Sequence, residues 1–68
     1  MKMNINDILK TMESTIRLAI TDGEKFEKGN NAAGTRVRKY MQELKTLAQD
    51  VRMKVSEIKN EADTPKSK

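Results

Sequence analysis

Apolar residues recur every seven positions in two separate stretches of the chain. The first stretch runs from Ile5 to Phe26 and the second from Val37 to Ile58. Further apolar residues lie between these positions on the same side of a helical wheel. This spacing is typical of a helix that packs along its whole length, so it predicts two amphipathic helices. No stretch alternates apolar and polar residues for long enough to predict a strand.

A short polar segment separates the two predicted helices and carries the signals for ending one and starting the next. Gly29 can adopt the left-handed conformation that ends a helix, and Asn30 or Asn31 can cap the following one. At the outer ends, Asn4 can cap helix 1 and Pro65 ends helix 2. The predicted organisation is a hairpin domain over 1–62, with helix 1 over about 5–28, a turn over 29–31 and helix 2 over about 32–61, followed by a flexible tail over 63–68.

Helix 1 contains one point at which it could break. Thr21 and Glu24 have the spacing of a capping box, and Gly23 between them is a poor helix former. The alternative is one continuous helix with a weak point at Gly23. We favour the continuous helix, because Phe26 keeps the seven-residue phase of the apolar residues before the glycine.

The short connection makes the two helices antiparallel neighbours, so the predicted fold is all-α, an antiparallel two-helix hairpin. With 68 residues, of which 35% are hydrophobic, one copy cannot form a large core. Because the chain has no cysteine, disulfide bonds cannot stabilise it either. We therefore expect self-association, most simply a two-fold dimer that forms a four-helix bundle, with a trimer or tetramer left open. The residues expected at the oligomer interface are Val37, Met41, Leu44, Leu47, Val51, Val55 and Ile58.

The chain is basic, with 14 Lys and Arg against 10 Asp and Glu and a net charge of +4. Residues 25–54 hold the excess, since they carry 8 basic and 3 acidic residues, a net charge of +5. In helix 2, one flank of the apolar stripe is basic and the other is acidic. Such flanks either select a partner helix or, on the basic side, attract a polyanion. The basic edge consists of Arg38, Lys45, Arg52 and Lys59, and the acidic edge of Glu43, Asp50 and Glu57.

The start of helix 2 has two interpretations. Its first turn, Ala32 to Thr35, is built of small residues that would let a phosphate approach the unpaired N–H groups of the helix end. The same small residues would also let the two helices pack closely beside the turn. The segment is not a P-loop, because the Gly-Lys-Ser/Thr ending of that motif is absent.

The run from Glu27 to Lys39, Glu-Lys-Gly-Asn-Asn-Ala-Ala-Gly-Thr-Arg-Val-Arg-Lys, resembles the signature of the bacterial linker-histone-like proteins, the family of the chlamydial histone-like protein. The similarity covers about residues 24–60, and helix 1 matches in pattern only. The resemblance implies a small helical protein that binds nucleic acid with little sequence preference and compacts the nucleoid. Larger members carry a long Lys- and Ala-rich tail that this chain lacks, so condensation driven by a tail is not expected. The basic residues inside the matched run are Lys28, Arg36, Arg38 and Lys39.

These observations favour a non-specific DNA-binding, histone-like architectural protein that contacts the phosphate backbone; RNA is left open as a ligand. The alternative is a helical module for self-assembly or protein interaction that binds no nucleic acid. The two hypotheses differ in whether the basic residues face solvent as a patch or are used in ion pairs. The predicted nucleic-acid contacts are Lys28, Arg36, Arg38, Lys39, Lys45 and Arg52.

Other function classes lack the residues that they need. Without histidine or cysteine, an enzyme would have to rely on Asp and Glu alone, so catalysis is not expected. We expect no metal, no cofactor and no small-molecule substrate. The acidic edge and the absence of Trp argue against binding at a membrane surface. The expected location is the cytoplasm, in association with the nucleoid.

Overall fold

The computed structural model of the chain describes residues 4–63, with side chains described for residues 4–59. These residues form two helices, α1 from Ile5 to Glu27 and α2 from Asn31 to Asp63, and no strand. The all-α, two-helix prediction is confirmed. α1 continues through Gly23 without a break, as the phase of Phe26 indicated. Of the predicted tail, Asp63 is the last residue of α2 and 64–68 lie outside the described residues.

α1 begins with a complete capping box. The backbone N–H of Asp7 donates to Oδ1 of Asn4 at 2.9 Å, and the carboxylate of Asp7 accepts from the backbone N–H of Asn4 at 3.4 Å. Each side chain thereby satisfies a backbone donor that the helix itself leaves unpaired. The acidic side chain also lies at the positive end of the helix dipole, which stabilises it.

The turn between the helices is a Schellman motif centred on Gly29. The N–H of Asn30 donates to the carbonyl of Lys25 at 3.0 Å, and the N–H of Gly29 donates to the carbonyl of Phe26 at 2.9 Å. Gly29 has a φ of 108°, a conformation that residues with a Cβ rarely adopt. Oδ1 of Asn30 then accepts from the backbone N–H of Ala33 at 3.1 Å, so Asn30 caps α2.

The two helices pack antiparallel, with residues at equal distances from the turn facing one another. Asp22 pairs with Arg36 near the turn, and Ile8 lies beside Asp50 at the other end of α1. Because α2 has 33 residues and α1 has 23, the C-terminal part of α2 extends past the start of α1.

The core of a single hairpin is small. Among the described residues the buried apolar side chains are Ile8, Ala19, Ala33 and Leu44. Thr15 is buried with them, and its hydroxyl donates to the carbonyl of Thr11 at 3.0 Å within the same helix. Two of the four apolar side chains are alanines, so the packing of α1 on α2 buries little apolar surface for a chain of this length.

The residues predicted at an oligomer interface are distributed over three environments. Leu44 is buried between the helices of one hairpin. Val37, Leu47 and Val51 are half-buried at the same contact. The remaining three are exposed on α2: Met41, Val55 and Ile58.

Candidate nucleic-acid interface

Arg36 forms an ion pair with Asp22 across the two helices. Nε of Arg36 donates to Oδ2 of Asp22 and Nη2 donates to Oδ1, both at 3.0 Å. The Asp22 side chain is 9% exposed and the Arg36 side chain is 45% exposed. The planar guanidinium and the carboxylate match in geometry, so this bidentate pair fixes the relative position of α1 and α2 near the turn.

The ion pair also changes the protonation of both groups. The hydrogen bonds from Arg36 lower the pKa of Asp22 below its usual 3.8, although the burial of the carboxyl opposes them. The charges of Arg36 and Lys25 lower this pKa further. Conversely, the hydrogen bond to Asp22 raises the pKa of Arg36. Asp22 therefore stays ionised in the folded hairpin to a lower pH than in the unfolded chain.

We expect Asp22→Asn to remove a pH-dependent part of the stability. A carboxyl whose pKa is lower in the folded state stabilises the fold above its unfolded pKa, near 3.8, and this contribution is lost as the pH falls through the folded pKa. Between about pH 5 and pH 2, the melting temperature of the native chain should therefore fall more than that of the variant. Thermal melts followed by circular dichroism measure this difference.

Asp50→Asn is the matched control for this measurement, since it also removes one carboxylate, on the exposed acidic edge of α2. In the part of the chain that the structure describes, Asp50 is in no ion pair. The control should keep the acid dependence of the native chain. An equal loss of acid dependence in both variants would show that the Asp22–Arg36 pair does not cause it.

Sequence reasoning had assigned Arg36 to phosphate and had not identified its contact with Asp22. The two residues lie seven positions before and seven positions after Gly29. In a hairpin centred on that glycine the two residues must face each other. Opposite charges at equal distances from the turn therefore predict this ion pair from the sequence. A phosphate contact of Arg36 stays a prediction, and two of its N–H donors are already used within the hairpin.

The other five predicted contact residues are exposed and form no ion pair within residues 4–59. The ion pairs found there are Arg36–Asp22 and Arg17–Glu13. The structure does not bring all five together. Lys28 lies in the turn, and Lys39 lines a groove with Thr11 and Thr15 on one side of the hairpin. The basic edge, by contrast, forms one row along α2, from Arg38 to Lys59, that spans about 32 Å.

The packing of the two helices explains why a glycine, Gly34, stands in the first turn of α2. A Cβ on Gly34 would lie 2.5 Å from Cδ1 and 2.6 Å from Cε1 of Phe26, which covers this point from α1. Ala33 beside it is completely buried. Close packing was one of the two interpretations of this segment, and these contacts support it.

One side of the hairpin is an apolar face. Successive residues of a helix are rotated by 100°, so the direction of each side chain follows from its position relative to the buried ones. The groove that contains Thr11, Thr15 and Glu43 marks one side of the hairpin. The large apolar side chains on the opposite side are exposed, and we call them the apolar face: Leu9, Ile16 and Ile20 of α1 with Met41 of α2.

The two charged edges of α2 lie on different sides of the hairpin. The acidic edge faces the groove side, where Glu43 lies beside Thr15, and Asp50 and Glu57 lie beside Ile8. The basic edge borders the apolar face. The net positive charge of α2 is therefore concentrated along one margin of an exposed apolar surface.

Two other kinds of site are not found in the described part of the chain. Neither helix is long and apolar enough to cross a membrane. Among the side chains of residues 4–59 there is also no acidic cluster suited to hold a metal ion.

Comparison with known proteins identifies a family. The model of the family described as histone H1-like protein Hc1 matches residues 6–61, well over half of the 68 residues. No curated protein and no solved structure matches the chain.

Proposed function

This chain belongs to the histone H1-like protein Hc1 family, and on that premise we propose that it binds DNA without sequence preference through the phosphate backbone. The family is one of structural DNA-binding proteins rather than enzymes. In this proposal the chain is an architectural component of the nucleoid. The phosphate contacts come from Arg38, Lys45 and Arg52 along α2, with Lys28 and Lys39 near the turn.

The observation that carries the proposal is the row of exposed cations along α2. Arg38, Lys45, Arg52 and Lys59 follow one line, and none is neutralised by an acidic side chain within residues 4–59. Lys and Arg that neutralise phosphates release condensed counterions from DNA, and this release supplies most of the affinity of non-specific binding. The length of the row, about 32 Å, is close to one turn of B-DNA, about 34 Å.

Base recognition has little support among the side chains. The chain has one Phe and one Tyr. Phe26 packs on Gly34 and Tyr40 is half-buried between the helices. Aromatic side chains that stack on bases need to be free at a binding surface, so backbone contacts are the more economical explanation of binding.

We further propose that the chain acts as a homodimer, in the form of a four-helix bundle. The small core and the exposed apolar face support this step, because two hairpins can bury what one leaves in water. Dimerisation would double the net charge from +4 to +8 and join two weak DNA-binding surfaces in one particle.

A second candidate function, a helical module for protein interaction, is favoured by the same apolar face. It predicts a stable helical assembly with no affinity for nucleic acid. The two candidates are separated by direct titration with DNA.

The test is the anisotropy of a labelled random-sequence duplex, titrated with the protein at several salt concentrations. We expect binding at about 50 mM salt that weakens linearly with the logarithm of salt, by about 0.9 per phosphate contact. A second duplex of different sequence should bind within a few-fold, and a duplex RNA of equal length tests the choice between DNA and RNA. Absence of binding near 50 mM salt would reject the proposal in favour of the protein-interaction module.

A further inference from the structure

We infer that a second copy of this chain covers the apolar face, and that the two copies lie with their turns at the same end. In this arrangement α1 of each copy packs against α2 of the other. The inference deepens the homodimer proposed above and does not depend on whether the protein binds DNA.

The size of the apolar face suits a second copy. α1 is about 35 Å long, and two adjacent helices are about 20 Å wide, so the side of the hairpin that carries the apolar face measures roughly 700 Å² per copy. A standard stable interface buries about 800 Å² per partner. Both helices contribute to the face, α2 through Met41, so the same surface of two copies can meet across a two-fold axis.

The charges at the two margins of the apolar face have opposite signs. On α2 the margin is the basic edge defined above. On α1 the residues beyond Leu9, Ile16 and Ile20 form an acidic margin: Glu13 and Glu24. Arg17, which pairs with Glu13 at 3.1 Å, lies further around α1, away from the face.

These charges distinguish the two ways in which the faces can meet. If the turns lie at the same end, the acidic margin of each copy meets the basic edge of the other. If they lie at opposite ends, acidic margin meets acidic margin and basic edge meets basic edge. Like charges that face each other are destabilising, so the same-end arrangement is favoured.

The alignment of α1 with α2 within one hairpin identifies the ion pair between copies that contributes most to the preferred orientation. Asp22 is level with Arg36, so Glu13, nine residues earlier, is level with Lys45, nine residues later. In the same-end dimer the partner copy has the same levels, and Glu13 of one copy therefore faces Lys45 of the other, twice per dimer. Lys45 then serves the dimer interface, and the cations of the basic edge that remain for phosphate are Arg38, Arg52 and Lys59. Arg52 is level with the first turn of α1, and Lys59 lies past the start of α1. The acidic margin does not reach these levels, so neither cation faces an acidic residue of the other copy.

The orientation of the dimer can be measured with spin labels, since the native chain has no cysteine. A label at Lys28→Cys, in the turn, should give a distance between copies of about 20 Å in the same-end dimer. The opposite-end dimer would give about 40 Å, because the labels would then be separated by the length of α1. A distance near 40 Å would overturn the proposed orientation. A monomeric mass at about 100 µM protein would overturn the proposal that a second copy covers the face.

Charge reversal gives a second, independent test. Glu13→Lys should raise the dimer dissociation constant about tenfold, because both symmetry-related pairs become repulsive. The double variant Glu13→Lys, Lys45→Glu should restore the native value. Glu43→Lys makes the same charge change on the groove side and should leave dimerisation unchanged. If Glu13→Lys left the dimer dissociation constant unchanged or lowered it, the acidic margin of one copy would not face the basic edge of the other, and the proposed orientation would be wrong. Because neither test contains DNA, a failure here is separate from a failure to bind DNA.

Discussion

Replacing Ile20 with aspartate is expected to separate the dimer into monomers and to remove most of its stability. Ile20 is 57% exposed in one hairpin and lies in the apolar face that a second copy would bury. Burying an unpaired carboxylate there, once from each copy, costs several kcal/mol. We expect a dissociation constant at least about 100-fold higher, measured by sedimentation equilibrium, and a lower melting temperature at a fixed protein concentration.

Leu18→Asp is a closely matched control for this variant. It makes the same type of change two residues away on the same helix, and Leu18 is 53% exposed, close to the exposure of Ile20. Leu18, however, points to the groove side of α1, away from the apolar face. The control should stay dimeric. If both variants dissociated, or neither did, the apolar face would not be the interface.

The sequence predicted the helices and the turn well because each depends on local physics. Heptad spacing determines the helices, and Gly29 with Asn30 determines where one ends and the next begins. The continuity of α1 through Gly23 was also predictable, since Phe26 stays in phase and can pack against α2. These elements required no knowledge of the packing between helices.

The division of apolar residues between core and surface could not be obtained from periodicity. Leu44 and Met41 belong to the same predicted stripe, yet Leu44 is buried within one hairpin and Met41 is exposed. The stripe is wide enough to face two neighbours, and the rotation of α2 against α1 decides which residue meets which. That rotation is set by contacts between distant residues, such as Asp22 with Arg36 and Phe26 with Gly34.

Charge counting has a similar limit at the candidate DNA-binding surface. Arg36 and Arg38 contribute equally to the net charge of residues 25–54. In the folded hairpin, Arg36 turns toward α1 and pairs with Asp22, whereas Arg38 lies on the basic edge. A run of basic residues on a helix therefore divides into structural and available cations according to the face on which each residue lies.

Neutralising the basic edge is expected to abolish most DNA binding. In the triple variant Arg38→Gln, Arg52→Gln, Lys59→Gln, each copy loses three cations of the basic edge and keeps Lys45, which pairs with Glu13 of the second copy. The slope of log affinity against log salt should become shallower by about 2.7 per copy, and affinity at about 50 mM salt should fall at least about 100-fold. The measurement is the anisotropy titration described above, on protein whose helicity and dimeric mass have been checked.

The control for this variant removes the same charge from α1. Lys10, Arg17 and Lys25 lie on α1 and are exposed, so replacing all three with Gln lowers the net charge equally and leaves the basic edge intact. If the arrangement of the cations matters, the control should keep most of the affinity and nearly the native salt slope, because phosphate contacts count only where they can form together on one duplex. If the two triple variants lost affinity equally, binding would depend on net charge alone, and the row along α2 would have no special role.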